Sequence, residues 1–379
     1  MMDLLSFTNC PLDPQTGSGK TVLTWSQGLR SLGHKVEVFQ PNDFEAAPNY
    51  HRGRQLRQAV GALQLVNKKV HEYNPALIEF YGAEFWMATA ELAKKKNRPF
   101  LVAHTNGLEL LHWERAKVYS PPESSLKSRL RQVVYQMTYE RLAKQAFSKS
   151  DAFVGLCEID RKYVVDHGYY RQEMTHVIAP GLDEEYLHQP APTNETRQKR
   201  IAFTGSWTPR KAPDVLVNVM GRVLREKPDF RFDIFGAHAD DRAINAFPED
   251  VRGRVTVHPR LSNSEIAGKL SQCQIFLFPS EYEGFGMATA EAMSCGCATV
   301  TTPTGFAAEL KNGEETLCCD FGDVAAIERA ILYLIDDDEL RGRLAMNGWT
   351  RTRSLNWPQA VKNLSDVYEN WLALHKSKS

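Results

Sequence analysis

Phe278-Pro279-Ser280-Glu281-Tyr282-Glu283-Gly284-Phe285-Gly286-Met287, continued through Ala288-Thr289-Ala290 to Glu291-Ala292-Met293-Ser294-Cys295-Gly296, is the stretch on which the reading of this chain turns. The apolar run ending at Pro279 reads as a buried strand and the glycine-bearing segment as a loop. The residues from Gly286 or Met287 read as a helix that stops at Gly296. Strand, loop and helix in that order form one step of an open α/β sheet, and ligands of such sheets bind beyond the carboxyl ends of the strands. The loop glycines and the helix N-terminus offer unpaired N–H groups and the positive end of a dipole, which suits a diphosphate. Glu283 and Glu291 bracket the loop. An ionised carboxylate only accepts hydrogen bonds, so one can face a sugar and the other the paired hydroxyls of a ribose. The plain alternative is a loop with surface glutamates.

Outward from this stretch, short apolar runs alternate with helical segments along the whole chain. The strand candidates are Leu4–Thr8, Lys35–Phe39, Leu77–Tyr81, Phe100–His104, Ala152–Leu156 and His176–Ala179, then Ile201–Thr204, Arg231–Phe235, Val255–His258, Ile275–Phe278, Ala298–Thr302 and Thr316–Cys319. Most lack period-two alternation, as strands covered on both faces do. Alternation with helices predicts parallel, doubly wound sheets, and two such sets predict two Rossmann-like domains. The Pro-rich stretch Gln189-Pro190-Ala191-Pro192-Thr193-Asn194 separates the sets. The expected division is therefore 1–194, 195–355, and a terminal segment 356–379 whose helix starts at Trp357-Pro358.

Glu283 and Glu291, with seven residues between them and the first set in Pro-Ser-x-x-Glu-Gly-Phe-Gly, resemble the signature of the retaining glycosyltransferase family 4, of GT-B fold. Other landmarks agree in order. Ser31-Leu32-Gly33-His34-Lys35-Val36 resembles the family's early helix-to-strand turn, and Val177-Ile178-Ala179-Pro180-Gly181-Leu182-Asp183 its segment before the linker. Phe203-Thr204-Gly205 through Arg210-Lys211 resembles its Gly-Arg…Lys-Gly phosphate loop.

The resemblance implies two domains facing across a cleft, with the donor on the second and the acceptor on the first. The final helix would return to the first. It also implies roles. Glu283 would bond the donor hexose. Ser280, Gly284, Phe285, Gly286 and Met287 would line the sugar and phosphates, and Glu291 would hold the ribose. Lys211 would pair with the diphosphate beside Gly205 and Arg210, and the base contact would fall near Arg260 and Leu261. Where the family usually has an arginine after the loop glycine, this chain has Ser206, and Arg210 is the candidate to replace that charge. The family often places a histidine in the first-domain cleft. Here His104 stands at a strand end and Asn106 precedes Gly107. His104 is favoured as a polar group near the sugar, with a hydrogen-bonded structural histidine as the competing reading.

Gly17-Ser18-Gly19-Lys20-Thr21 imitates the end of a P-loop, but the pattern needs glycine where Pro14 stands, and proline has no N–H to offer. The better use of Gly17 and Gly19 is a strand-to-helix turn that lets backbone approach an anion, before a helix from about Lys20 to Leu32 capped at Gly33.

Composition narrows the rest. Over 379 residues Lys plus Arg equals Asp plus Glu, 46 each, so there is no global charge for nucleic acid. The start carries no basic n-region, no run approaches the ~18 apolar residues of a membrane span, and seven cysteines read as reduced thiols. A cytoplasmic protein is expected. Residues 115–149 are rich in Lys and Arg with interleaved apolar residues, which suits either a solvated helix face or contact with the inner face of an anionic membrane. His238-Ala239-Asp240-Asp241 and Asp336-Asp337-Asp338-Glu339 read as helix-start chemistry, so neither a metal nor a cofactor is expected.

The expected activity is transfer of a hexosyl group from a UDP- or GDP-type sugar to the hydroxyl of an unidentified acceptor (glycan, lipid-linked or small molecule), with retention and without metal. The rivals are an epimerase or hydrolase on the same fold, a nucleotide-sugar-binding protein without catalysis, and a P-loop ATPase.

Overall fold

The computed structural model describes residues 1–376 apart from 15, 46, 48, 51, 120–125, 194–196 and 237–240. The chain divides into two units, Met1–Pro180 together with Trp357–Ser379, and Gly181–Asn356.

The first unit is built on β1 (Asp3–Thr8), β2 (Lys35–Phe39), β3 (Leu77–Tyr81), β4 (Phe100–His104), β5 (Ala152–Gly155) and β6 (Thr175–Val177), in the order β2-β1-β3-β4-β5-β6. The second is built on β7 (Gln198–Thr204), β8 (Arg231–Phe235), β9 (Val255–Val257), β10 (Cys273–Phe278), β11 (Ala298–Thr301) and β12 (Leu317–Cys318), in the order β12-β11-β10-β7-β8-β9. Every pairing is parallel. All twelve strands lie where the apolar runs predict them, and the two doubly wound sheets are as expected. Central strands such as β3 and β4 are buried at every position, so neither face had to alternate. Strand order reverses between β1 and β3 in one sheet and between β7 and β10 in the other. Those reversals are the switch points at which doubly wound sheets bind ligands.

The helix Trp357–Lys376 places Ala360, Val361, Leu364, Tyr368, Trp371 and Leu372 on one face at spacings of three and four. They pack into the first unit's core with Leu4, Trp25, Leu29, Leu77, Phe100 and Val102. Trp25 meets Trp357 edge-on at 5.1 Å. Beneath this helix the sheet interior is polar. The Tyr368 hydroxyl donates to Glu79 Oε1 and lies 2.5 Å from His104 Nε2, while the Tyr81 ring stacks on His104 at 4.5 Å. Burial pushes the Glu79 carboxyl up to about 7 and the His104 imidazole down to about 3.

The division between units falls after Pro180, whereas the Pro-rich composition pointed to Asn194, a residue outside the described set. The physical reason is hydrogen bonding of the backbone beyond Pro180. Leu182 N–H donates to Leu355 O at 2.9 Å, the buried Tyr186 receives the Ser294 hydroxyl on its carbonyl at 2.8 Å, and both partners belong to the second unit. Asp337 caps the helix Asp338–Thr352 through Leu340 N–H at 2.8 Å, which accounts for the acidic run there. Residues 238–240 of the other acidic pattern lie outside the described residues. Among the described residues no helix is long and apolar enough to cross a membrane. Of the basic segment's two helices, Glu109–Tyr119 and Leu126–Ser148, the first sends Lys117 to Glu140 of the second, and Lys144 reaches Glu140 along the second. All seven cysteines are free thiols.

Candidate active site

All strands of the second sheet run the same way, so the turns after β7, β9, β10 and β11 share one edge. Gly205, Ser206, Arg210, Lys211, Arg260, Leu261 and the 279–287 loop therefore stand on the carboxyl edge of one sheet. The loops after β7 and β10 flank its switch point.

The 279–287 loop is fixed from three sides. Thr302, just past β11, donates its hydroxyl to Ser280 O at 2.5 Å. The Arg210 carbonyl accepts from Glu281 N–H at 2.9 Å, and Ser280 Oγ lies 3.1 Å from it. Phe306 N–H donates to Phe285 O at 2.6 Å, and the two rings stack at 5.2 Å. Gly305 makes the last closure possible, because a Cβ there would lie 2.3 Å from Phe285 O and its φ is +49°. Gly286 then takes the left-handed conformation, φ 90°, and starts the helix Met287–Ser294 without a side-chain cap. Thr289 N–H is taken by Gly286 O at 3.0 Å, which leaves the first-turn N–H groups of Met287 and Ala288 for a ligand.

Lys211 ends a 3-10 turn, Pro209–Lys211, and Ala212 follows at φ 51° before the helix Pro213–Glu226. This turn sends the Lys211 ammonium inward, 2.6 Å from Glu283 Oε1 and 4.4 Å from the centroid of the Phe278 ring. Lys211 is 7% exposed and Glu283 8%. Burial holds the Lys211 ammonium below the usual lysine range, with the Glu283 carboxylate opposing that shift. Glu291 lies half-buried one helical turn on, close enough to favour the charged Lys211. Ser206 is exposed, Arg210 half-buried, Arg260 exposed and Leu261 half-buried after β9. The ion pair at the centre of this group joins Lys211 to Glu283.

In the first unit Gly17 and Gly19 follow β1 at that sheet's switch point. The helix starts at Gly17, three residues earlier than expected, and ends with Gly33 at φ 89°. Nothing lies within 4 Å of a Cβ built at Gly17, whereas one at Gly19 would meet Pro11 O at 2.4 Å. Gly17 thus leaves room above the helix start, and Gly19 packs the loop on itself. His104 is wholly buried in the polar interior under the final helix, with Nε2 beside the Tyr368 hydroxyl and its ring stacked on Tyr81. Asn106 is half-buried beyond β4, with Nδ2 4.0 Å from Cys10 Sγ.

Sequence reading overlooked several members. Phe278 was read only as the end of a strand, and Thr302 and Gly305 carry no motif of their own. Glu109 also went unnoticed. It accepts from Asn9 Nδ2 at 3.5 Å, while the same amide donates to Glu84 at 2.9 Å. Burial, aided by the Glu84 carboxylate, pushes Glu109 up to about 8. Among the described residues no three His, Cys, Asp or Glu side chains gather as a metal set would.

Comparison with known proteins gives the same reading for each half. Residues 16–186 match the family described as Glycosyltransferase Family 4, and residues 198–337 match that described as Glycosyl transferases group 1. An uncharacterized glycosyltransferase of Methanocaldococcus jannaschii is 28% identical over 51% of this chain and 53% of its own length. A D-inositol 3-phosphate glycosyltransferase of Xylanimonas cellulosilytica is 26% identical over 59% and 58%. The matches thus span little more than half of these relatives. Among solved structures, sucrose-phosphate synthase of Thermosynechococcus elongatus superposes with a TM-score of 0.79 at 18% identity, covering 99% of this chain and 100% of that one. Anabaena HepE, solved with UDP and glucose, gives 0.65 at 17%, covering 98% and 100%. The two Rossmann-like units are those of the GT-B fold. The chain thus carries a Glycosyltransferase Family 4 domain in its first half and a Glycosyl transferases group 1 domain in its second.

Proposed function

We propose that the protein transfers a hexosyl group from a nucleoside-diphosphate sugar to an acceptor hydroxyl, with retention at the anomeric carbon. The donor binds on the carboxyl edge of the second sheet. The observation that carries this reading is the Lys211–Glu283 pair at the switch point, beside the uncapped N-terminus of the helix Met287–Ser294.

Each group has a task that its chemistry suits. The diphosphate meets the N–H groups around Gly284, Phe285, Gly286 and Met287 at the positive end of the helix dipole. Lys211 stands where negative charge grows as the sugar–phosphate bond breaks, and a preorganised ammonium stabilises that charge without reorganising. Glu283 accepts from the sugar hydroxyls and Glu291 from the ribose. Arg210, one residue before Lys211, supplies the second cation that Ser206 cannot, and Arg260 and Leu261 border the base. In a same-face reaction the departing phosphate oxygen takes the acceptor proton, so no side-chain base is required. Lysine and helix dipole supply the neutralisation that a divalent metal otherwise gives, and transfer proceeds with chelator present. Gly17 and Asn106 offer backbone and amide groups on the ligand edge of the first unit, where the acceptor binds. His104 contributes from the interior by holding the final helix to the sheet. HepE with UDP and glucose makes UDP-glucose the first donor to try.

The test is transfer from UDP-glucose, GDP-mannose and ADP-glucose to a panel of polyol and glycan acceptors, with and without EDTA, read by NMR at the anomeric proton. Lys211→Ala and Glu283→Ala each lower turnover by about 100-fold or more. Full turnover in both variants contradicts the site assignment, and an inverted product contradicts the same-face reaction.

A further inference from the structure

Ser280 was expected to line the donor, yet its side chain is wholly enclosed, at 0% exposure. Its hydroxyl lies 2.5 Å from Glu283 Oε1, nearer than its two carbonyl neighbours, Arg210 O at 3.1 Å and Tyr282 O at 3.2 Å. A serine has one hydroxyl proton, and the shortest contact, to an ionised acceptor, takes it. Lys211 Nζ donates to the same oxygen at 2.6 Å. Both protein donors therefore converge on Oε1, and Oε2 takes neither bond.

We infer that Ser280 is a positioning residue for sugar recognition, fixing the Glu283 carboxylate so that Oε2 is presented to a hydroxyl of the donor's sugar. The inference rests on the donor site proposed above and adds to it how the sugar, as distinct from the nucleotide, is selected. A glutamate side chain has three rotatable bonds. Left free, it pays the ordering cost when ligand binds, and held beforehand it does not. Ser280 is itself immobilised, because the Thr302 hydroxyl holds its carbonyl. Since Ser280 acts only through Glu283, its loss weakens the grip on the sugar and leaves the nucleotide's own contacts in place. Lys211 keeps its bond to Oε1 without Ser280, so the diphosphate subsite is retained.

Calorimetric titration of the full chain with UDP, GDP and ADP, and with UDP-glucose, GDP-mannose and ADP-glucose, gives the ratio of Kd for nucleotide to Kd for its sugar conjugate. Ser280→Ala lowers that ratio by about 3- to 10-fold while the nucleotide Kd stays within about twofold. In a Glu283→Gln background the same change has little further effect on the ratio, as a double-mutant cycle requires of a residue acting through another. Ser280→Cys keeps the side chain's size with only a weak donor and gives the same reading if the alanine variant does not fold. An unchanged ratio in Ser280→Ala, or an equal loss for nucleotide and conjugate, overturns the role of Ser280 alone. Failure of the wild type to bind any of the six ligands overturns the donor site and the role of Ser280 together.

Discussion

Lys211 and Glu283, separated by 72 residues in sequence, form a 2.6 Å ion pair in which each side chain is only 9% exposed. Such a pair adds little net stability, because desolvating two charges offsets their attraction. Removing one partner, however, strands the other. Lys211→Met is expected to destabilise by about 2–4 kcal/mol, and combining it with Glu283→Gln recovers most of that loss. Urea unfolding midpoints of the two single variants and the double variant measure the coupling. Additive losses mean that the two groups are independent.

Ala212 adopts φ 51°, one of two non-glycine residues with positive φ recorded in the described chain. It caps the helix that follows Lys211, at the position where the family's phosphate loop has glycine. Alanine in this conformation costs about 1–2 kcal/mol, which glycine avoids, while glycine adds about 0.5–1 kcal/mol of unfolded-state entropy. Ala212→Gly is thus expected to stabilise by about 0.5–1 kcal/mol and to leave nucleotide binding unchanged. Thermal unfolding checks the first part and titration the second.

Gly305 has no room for a side chain, since its Cβ would press on Phe285 O at 2.3 Å. Gly305→Ala must push the Phe285 carbonyl away and strain φ 49° as well. A loss of about 2–4 kcal/mol is expected from the clash and the strain together. Nucleotide affinity falls with it, because Phe285 belongs to the loop that meets the phosphates. Unfolding and titration on one variant show whether the two losses travel together.

Glu79 and His104 give the first unit an opposed pair of pH responses. The Glu79 pKa is raised from 4.5 to about 7 on folding, so its stabilising contribution is full below about 4.5 and is lost as pH rises to 7. The His104 pKa is lowered from 6.5 to about 3, so its contribution is full above 6.5 and is lost as pH falls towards 3. Between 4.5 and 6.5 the two slopes oppose. Glu79→Gln keeps an acceptor for the Tyr368 hydroxyl and removes the first slope. Its stability relative to wild type should therefore be greater at pH 8 than at pH 4.5 by about 3 kcal/mol. Denaturant titrations at the two pH values test this, and a difference independent of pH rules it out.

The strands were legible because parallel strands buried on both faces are written as short apolar runs between turn residues. Their ends were less so. β7 begins at Gln198, three residues before the apolar run, because Gln198 N–H bonds to Gln272 O and a backbone ladder does not require an apolar side chain. The residue types of the candidate site were legible from the loop that carries Glu283. The Lys211–Glu283 bond was not, since each residue is read within its own segment and the bond depends on how β7 and β10 come to be neighbours. The same holds for His104, whose partner Tyr368 lies 264 residues away. From its strand-end position a ligand-facing role and a structural one look alike. Proline content and contacts place the join differently, because proline content reports chain stiffness, whereas the backbone bonds of Leu182 and Tyr186 tie the chain to the second unit.

The most direct test of a donor site on the second unit is a thermal-shift series with UDP, GDP, ADP and their sugar conjugates, on wild type and Glu291→Ala. A ligand that binds only the folded chain raises its melting temperature. One nucleotide and its conjugates should shift the wild type and fail to shift Glu291→Ala. No shift from any nucleotide at millimolar concentration, or equal shifts in both proteins, contradicts a donor site built on Glu283 and Glu291.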